Sequence, residues 1–180
     1  MKKHLALIIL VLILSVLSVS FAYFGANIIK NGDNKTDINT GSLKLKISDD
    51  SVNIDDLLPV YDSNYRTSYK KEFTITNEEN LNACSKIYLK LNSIDEELKS
   101  EYLKYILIKD NEEVYGDFNS TSDKLLLKSE YIESNDSNNY TLYIWISYDE
   151  NENQINMLGK SLEASIYVEG FDASEITTCN

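Results

Sequence analysis

From Ser42 onward the chain alternates apolar and polar positions with a period of two, the mark of strands that bury one face. Leu43, Leu45 and Ile47 interleave with Lys44 and Lys46, Phe73 and Ile75 with Thr74 and Thr76, and Ile87, Leu89 and Leu91 with Tyr88 and Lys90. The strongest run, Tyr140 to Tyr148, sets Leu142, Ile144 and Ile146 on one face and Thr141, Tyr143, Trp145 and Ser147 on the other. Its expected partner is the run carrying Leu162, Ala164, Ile166 and Val168, and weaker strands are predicted at 103–108, 113–118 and 125–132. Ser93-Ile94-Asp95-Glu96 fits a capping box, so a short connecting helix is predicted from Asp95 to Tyr102. Pro59 cannot donate to a ladder, which makes Leu57-Leu58-Pro59 an edge or a crossover. Seven or eight short strands in about 130 residues, separated by Asn-, Asp- and Ser-rich turns, predict an all-β fold: a two-layer antiparallel sandwich.

The N-terminal pattern is different. Lys2 and Lys3 precede a thirteen-residue run, Leu5 to Leu17, apolar but for Ser15, and Ser20 and Ala22 are small residues at positions −3 and −1 of a cut before Tyr23. This is the layout of a secretory signal peptide. An uncleaved membrane anchor is the alternative, because no charge occurs between His4 and Lys30 and about 20 apolar residues span a bilayer. The reading taken is cleavage between Ala22 and Tyr23, giving a signal peptide at 1–22, an N-terminal arm at 23–41 and a sandwich domain at 42–180. The arm lacks alternation and turns polar after Ile29, so it reads as a loose segment.

Charge and rare residues narrow the chemistry. The 180-residue chain carries 17 Lys+Arg against 29 Asp+Glu, a net charge of −12. Loss of Lys2 and Lys3 takes the mature part to about −14, which repels phosphate backbones and anionic lipid. No nucleic-acid partner is expected, and the membrane is met only through the signal segment. His4, the single histidine, leaves with that segment, so Ser–His and Cys–His nucleophile pairs and HExxH zinc sites are excluded. The six glycines are scattered singly, with no phosphate-binding loop, and no cofactor is implied. Paired carboxylates remain the one catalytic option.

Cys84 and Cys179 both follow the cleavage site, in a compartment where disulfides persist, and a bridge between them is the simplest pairing. Two free thiols are the alternative. Asp149, Asn151 and Asn153 have the spacing of a calcium loop's first ligands, yet Gln154 and Lys160 stand where that loop needs Gly and Glu, so 149–153 reads as a solvated hairpin loop. Tyr143 and Trp145, on the polar-side face of the strongest strand, are a candidate docking face; the bland alternative is that they simply cover a sheet.

Four segments together resemble secreted proteins of the camelysin and TasA type, the matrix-fibre subunits of Gram-positive bacteria processed by a SipW-type signal peptidase. They are Ser20-Phe21-Ala22-Tyr23-Phe24 at the cleavage region, Thr40-Gly41-Ser42-Leu43-Lys44-Leu45 at the first strand, Leu57-Leu58-Pro59 followed by Lys71-Glu72-Phe73-Thr74-Ile75-Thr76-Asn77, and Asn156-Met157-Leu158-Gly159-Lys160-Ser161 before the closing strand. The order and spacing carry the likeness. Val60 departs from it where the family commonly has Gly, as do the two cysteines, and no zinc motif supports protease activity. The resemblance implies a jelly-roll sandwich that assembles outside the cell, lending the mature N-terminal segment as a strand to the next subunit. Phe24, Ala26, Ile28 and Ile29 would then be the donor-strand residues.

The expectation is a secreted, non-enzymatic matrix or fibre subunit whose partners are further copies of itself and its signal peptidase. The alternative is a cell-surface module that docks a host protein or glycan through Tyr143 and Trp145. A carboxylate-based hydrolase ranks third.

Overall fold

The computed structural model describes residues 36–40, 43–119, 121–173 and Cys179. Among them, eleven strands form two sheets: β1 (Thr36–Thr40), β2 (Leu43–Ile47), β3 (Ser51–Ile54), β4 (Pro59–Val60), β5 (Tyr69–Asn77), β6 (Ala83–Ile94), β7 (Leu103–Lys109), β8 (Glu112–Asp117), β9 (Lys124–Ile132), β10 (Ser137–Ser147) and β11 (Leu162–Asp172). The larger sheet runs β1-β2-β5-β10-β7-β8, and the smaller runs β3-β11-β6-β9. Neighbours are antiparallel, except that β4 lies parallel to the end of β10, Pro59 beside Ile146 and Val60 beside Ser147. The short β4 matches the edge role that Pro59 dictates.

Alternation decides what is buried. Leu43, Leu45, Ile47, Ile75, Leu142, Ile144 and Leu107 of the larger sheet face Val52, Ile87, Leu89, Leu162, Ile166 and Val168 of the smaller, and each is at most 2% exposed. They form one continuous core. Each such side chain contributes about 1.5 to 3 kcal/mol relative to exposure, so burial on this scale fixes which face of each strand points inward. The Leu125-Leu126-Leu127 run breaks the alternation because the β6–β9 register shifts at Ile87 and Tyr88, and that bulge turns Leu127 inward.

All eight strands expected from the sequence are present. Three details differ. The run at 162–168 does not pair with 140–148: β11 lies between β3 and β6, and the segment from Tyr148 to Ser161 crosses from one sheet to the other. A period of two specifies a buried face and not a neighbour, and both runs bury one face of the same core. The predicted helix at 95–102 is a single 3-10 turn, Glu96–Leu98, without a side-chain cap. Asp95 has other partners, since its carboxylate accepts the Ser161 backbone N–H at 2.8 Å and ties this turn to the start of β11. The last part of the predicted loose arm, Thr36–Thr40, is strand β1, paired residue by residue with β2 at the edge of the larger sheet.

Candidate functional site

Residues paired across an antiparallel ladder share a face, so the register builds the candidate docking face directly. Tyr143 of β10 lies opposite Ile106 of β7, which lies opposite Tyr115 of β8. The next row is Trp145, Lys104 and Asp117. These rows point away from the core. Over them lies a 3-10 turn, Asp62–Thr67, which follows Pro59-Val60 and leads into β5. The Tyr65 ring sits 5.3 Å from both the Tyr143 and the Trp145 rings, edge-on to the first and tilted to the second. Asp62 anchors the turn from below: its Oδ1 accepts the Trp145 Nε1–H at 2.9 Å and its Oδ2 accepts Lys104 Nζ at 2.8 Å. Burial pushes the Asp62 carboxyl up, but hydrogen bonds from Lys104, Ser147 and Trp145 outweigh it and hold the group below its ordinary value.

Trp145 is therefore not part of an open docking face. It is 2% exposed, covered by Tyr65 and hydrogen-bonded to Asp62. Burial with its indole N–H satisfied is the ordinary way a fold accommodates this side chain. Tyr143 is partly buried beneath the same turn. The most exposed rings among the described residues are ones the sequence did not single out, Tyr61 at 61% and Tyr115 at 60%. Tyr65 and Tyr115 flank a groove of about 480 Å³ whose polar lining is Asp62, Lys104 and Asp117. A second groove of about 430 Å³ shares Lys104 and is lined by Tyr61, Tyr102 and Tyr148. One signal for these positions is in the sequence: Tyr61 and Tyr65 flank Asp62 in a polar stretch with no strand pattern to account for them.

The remaining sequence-predicted positions have structural roles. The 149–153 segment is an exposed-to-half-buried crossover between the two sheets, not a hairpin loop. Its polar groups bond locally: Asp149 Oδ1 accepts the Asn151 backbone N–H at 2.9 Å, Asn153 Oδ1 accepts that of Ile155 at 3.1 Å, and buried Gln154 donates to the Ser147 carbonyl at 2.7 Å. Among the described residues no group of three or more His, Cys, Asp or Glu side chains is placed to hold a metal ion. Cys84 and Cys179 form a disulfide, with Cα atoms 5.5 Å apart. Ala83, Ser85 and Ile87 face inward, so Cys84 points outward and pins Cys179 on the outer face of the smaller sheet. Ala22, Tyr23, Phe24, Ala26, Ile28 and Ile29 lie outside the described residues.

No family model matches the chain, and neither a curated protein nor a solved structure matches it.

Proposed function

We propose that the chain is a secreted, non-enzymatic subunit of an extracellular matrix or fibre, a sandwich of the jelly-roll kind whose copies join through the N-terminal segment. The observation that carries this reading is the place of β1. Among the described residues it is the terminal strand of the larger sheet and pairs with β2 alone, and it is the part of the predicted arm nearest the domain. Among the described residues no strand pairs with its other side, whose N–H and C=O groups are the template on which a further strand can add. A strand passed from one copy to the edge of the next builds an open, head-to-tail assembly. The signal-peptide pattern, the acidic soluble surface and the Cys84–Cys179 bridge support an extracellular setting.

The test compares a chain starting at Tyr23 with one starting at Gly41, by thermal melting and by light scattering from low to high salt. Both are expected to fold, because Leu43, Leu45 and Ile47 are held by β5 and the core without β1. Only the longer chain is expected to associate, and more strongly as salt screens a charge of about −14. A shorter chain that assembles equally well, or a longer one that remains monomeric with no filaments in electron micrographs, overturns the proposal.

A further inference from the structure

The outer face of the larger sheet carries a groove whose composition a mere sheet covering does not explain. Covering accounts for Trp145 and Tyr143, which lie beneath Tyr65. It does not account for Tyr115 and Tyr61, which leave about three-fifths of their surface in water. We propose that this groove binds neutral sugar rings of an extracellular oligosaccharide or polysaccharide.

Three observations select that ligand. The groove, about 480 Å³, falls within the range of small-ligand sites, about 300 to 1,000 Å³. Its lining includes the rings of Tyr65 and Tyr115, side chains that offer flat apolar surface of the kind that the C–H face of a pyranose packs against. Its polar groups are Asp62, Lys104 and Asp117, which together offer both acceptors and donors. Sugar hydroxyls need both, and hydrogen bonds to charged partners are about twice as strong as neutral ones. Asp62 is already fixed by Trp145 and Lys104, so it is oriented before any ligand arrives.

Charge argues against an anionic ligand, and the existing ion pair against a cationic one. An anionic polymer meets two carboxylates in the groove and a strongly negative molecule around it. A cationic one finds the Asp62 carboxylate already ion-paired to Lys104 at 2.8 Å, so it competes with that pair for its strongest partner. A neutral ligand pays neither penalty. The second groove meets the first at Lys104 and has its own aromatic wall, where the Tyr61 and Tyr148 rings stand edge-to-face 5.1 Å apart. Two adjoining aromatic subsites suit several linked rings better than a single sugar.

Trp145 is the sole tryptophan of the chain and its indole bonds to Asp62, so its fluorescence reports on the groove. The full chain, held in a polyoxyethylene detergent free of sugar, is titrated with cellohexaose, the N-acetylglucosamine hexamer and mannohexaose, with calorimetry alongside. At least one is expected to give a saturable change, and Tyr115→Ala is expected to weaken that binding at least tenfold while leaving the melting temperature within a degree or two. Asp117→Asn, also on the surface, is expected to weaken it severalfold. No saturable response to any of the three, or full affinity in Tyr115→Ala, overturns the proposal. So does tighter binding of polygalacturonate or oligolysine, which would assign the groove to a charged partner.

Discussion

Asn77 ends β5 with none of its surface exposed, and its side chain closes the loop that leads to β6. Its Nδ2 donates to the carbonyls of Leu81 at 2.8 Å and Glu133 at 3.1 Å, while its Oδ1 accepts the Glu79 backbone N–H at 3.2 Å. One amide thus joins the β5–β6 loop to the segment after β9. The sequence marked this asparagine only as the last letter of a strand segment, because partners from two separate loops leave no local trace. Asn77→Leu strands those groups in the interior and is expected to cost about 2 to 3 kcal/mol, read as a fall in the urea midpoint with the slope unchanged. Tyr140 presents the opposite case. Its ring stacks on Phe73 at 5.0 Å, but its buried hydroxyl has no hydrogen-bond partner among the described residues. Tyr140→Phe removes an unmet polar group and keeps the stack, so stability should rise by roughly 1 kcal/mol; a fall of that size would show that the hydroxyl has a partner in solution. Asp62 supplies the pH-dependent term. Its folded value lies below the ordinary 3.8, so its contribution is full above that pH and is lost as pH falls further, through the folded value. Asp62→Asn should lower the melting temperature at pH 7 and flatten its decline below about pH 4, whereas an unchanged acid limb would remove Asp62 from the account.

At the scale of elements, the hairpin of β7 and β8 shows how a strand is held in place by what it lacks. Asp110, with φ of 54°, begins its two-residue turn, a conformation that Asp adopts more readily than most residues. Farther along, Gly116 lies opposite Tyr105, and a Cβ there would come within 2.5 Å of the tyrosine ring carbons. That ring is itself packed edge-on against buried Phe118, 6.0 Å away, so it has little room to yield. Gly116→Ala should therefore cost about 1 to 3 kcal/mol through overpacking, measurable by denaturant titration, and a neutral result would mean that β8 shifts freely at this edge. The strand itself was readable from its sequence, the reason for its glycine was not. Strands of five or more residues with a buried face, such as β2, β5 and β10, announce themselves by alternation. The four residues of β3 and the two of β4 are too short to establish a period, and β1 has no contrast between its faces in composition.

Across the whole molecule, the sandwich class was legible because the core is built from one inward face of many strands, and that is what a period of two records. The order of strands within each sheet was not, since β10 and β11 bury equivalent faces yet belong to different sheets. The groove escaped for a related reason: Asp62 and Tyr65 reach Lys104, Tyr115 and Trp145 only after three separate parts of the chain are brought together. The disulfide is a contact between equally distant parts that could be proposed from the sequence, because two cysteines allow a single pairing. It closes a loop spanning 95 positions, nearly the whole sandwich from β6 onward. Restricting the unfolded chain by a loop of that length corresponds to about 4 to 5 kcal/mol in the chain-entropy account. Thiol titration of the unfolded, unreduced protein is expected to find none free. The Cys84→Ser/Cys179→Ser chain should unfold at a markedly lower urea concentration, with the same melting behaviour in the presence and absence of reductant. If it matches the parent's stability, then the smaller sheet holds its C-terminal strand through the β6 and β3 ladders alone, and the bridge secures only the tail beyond Asp172.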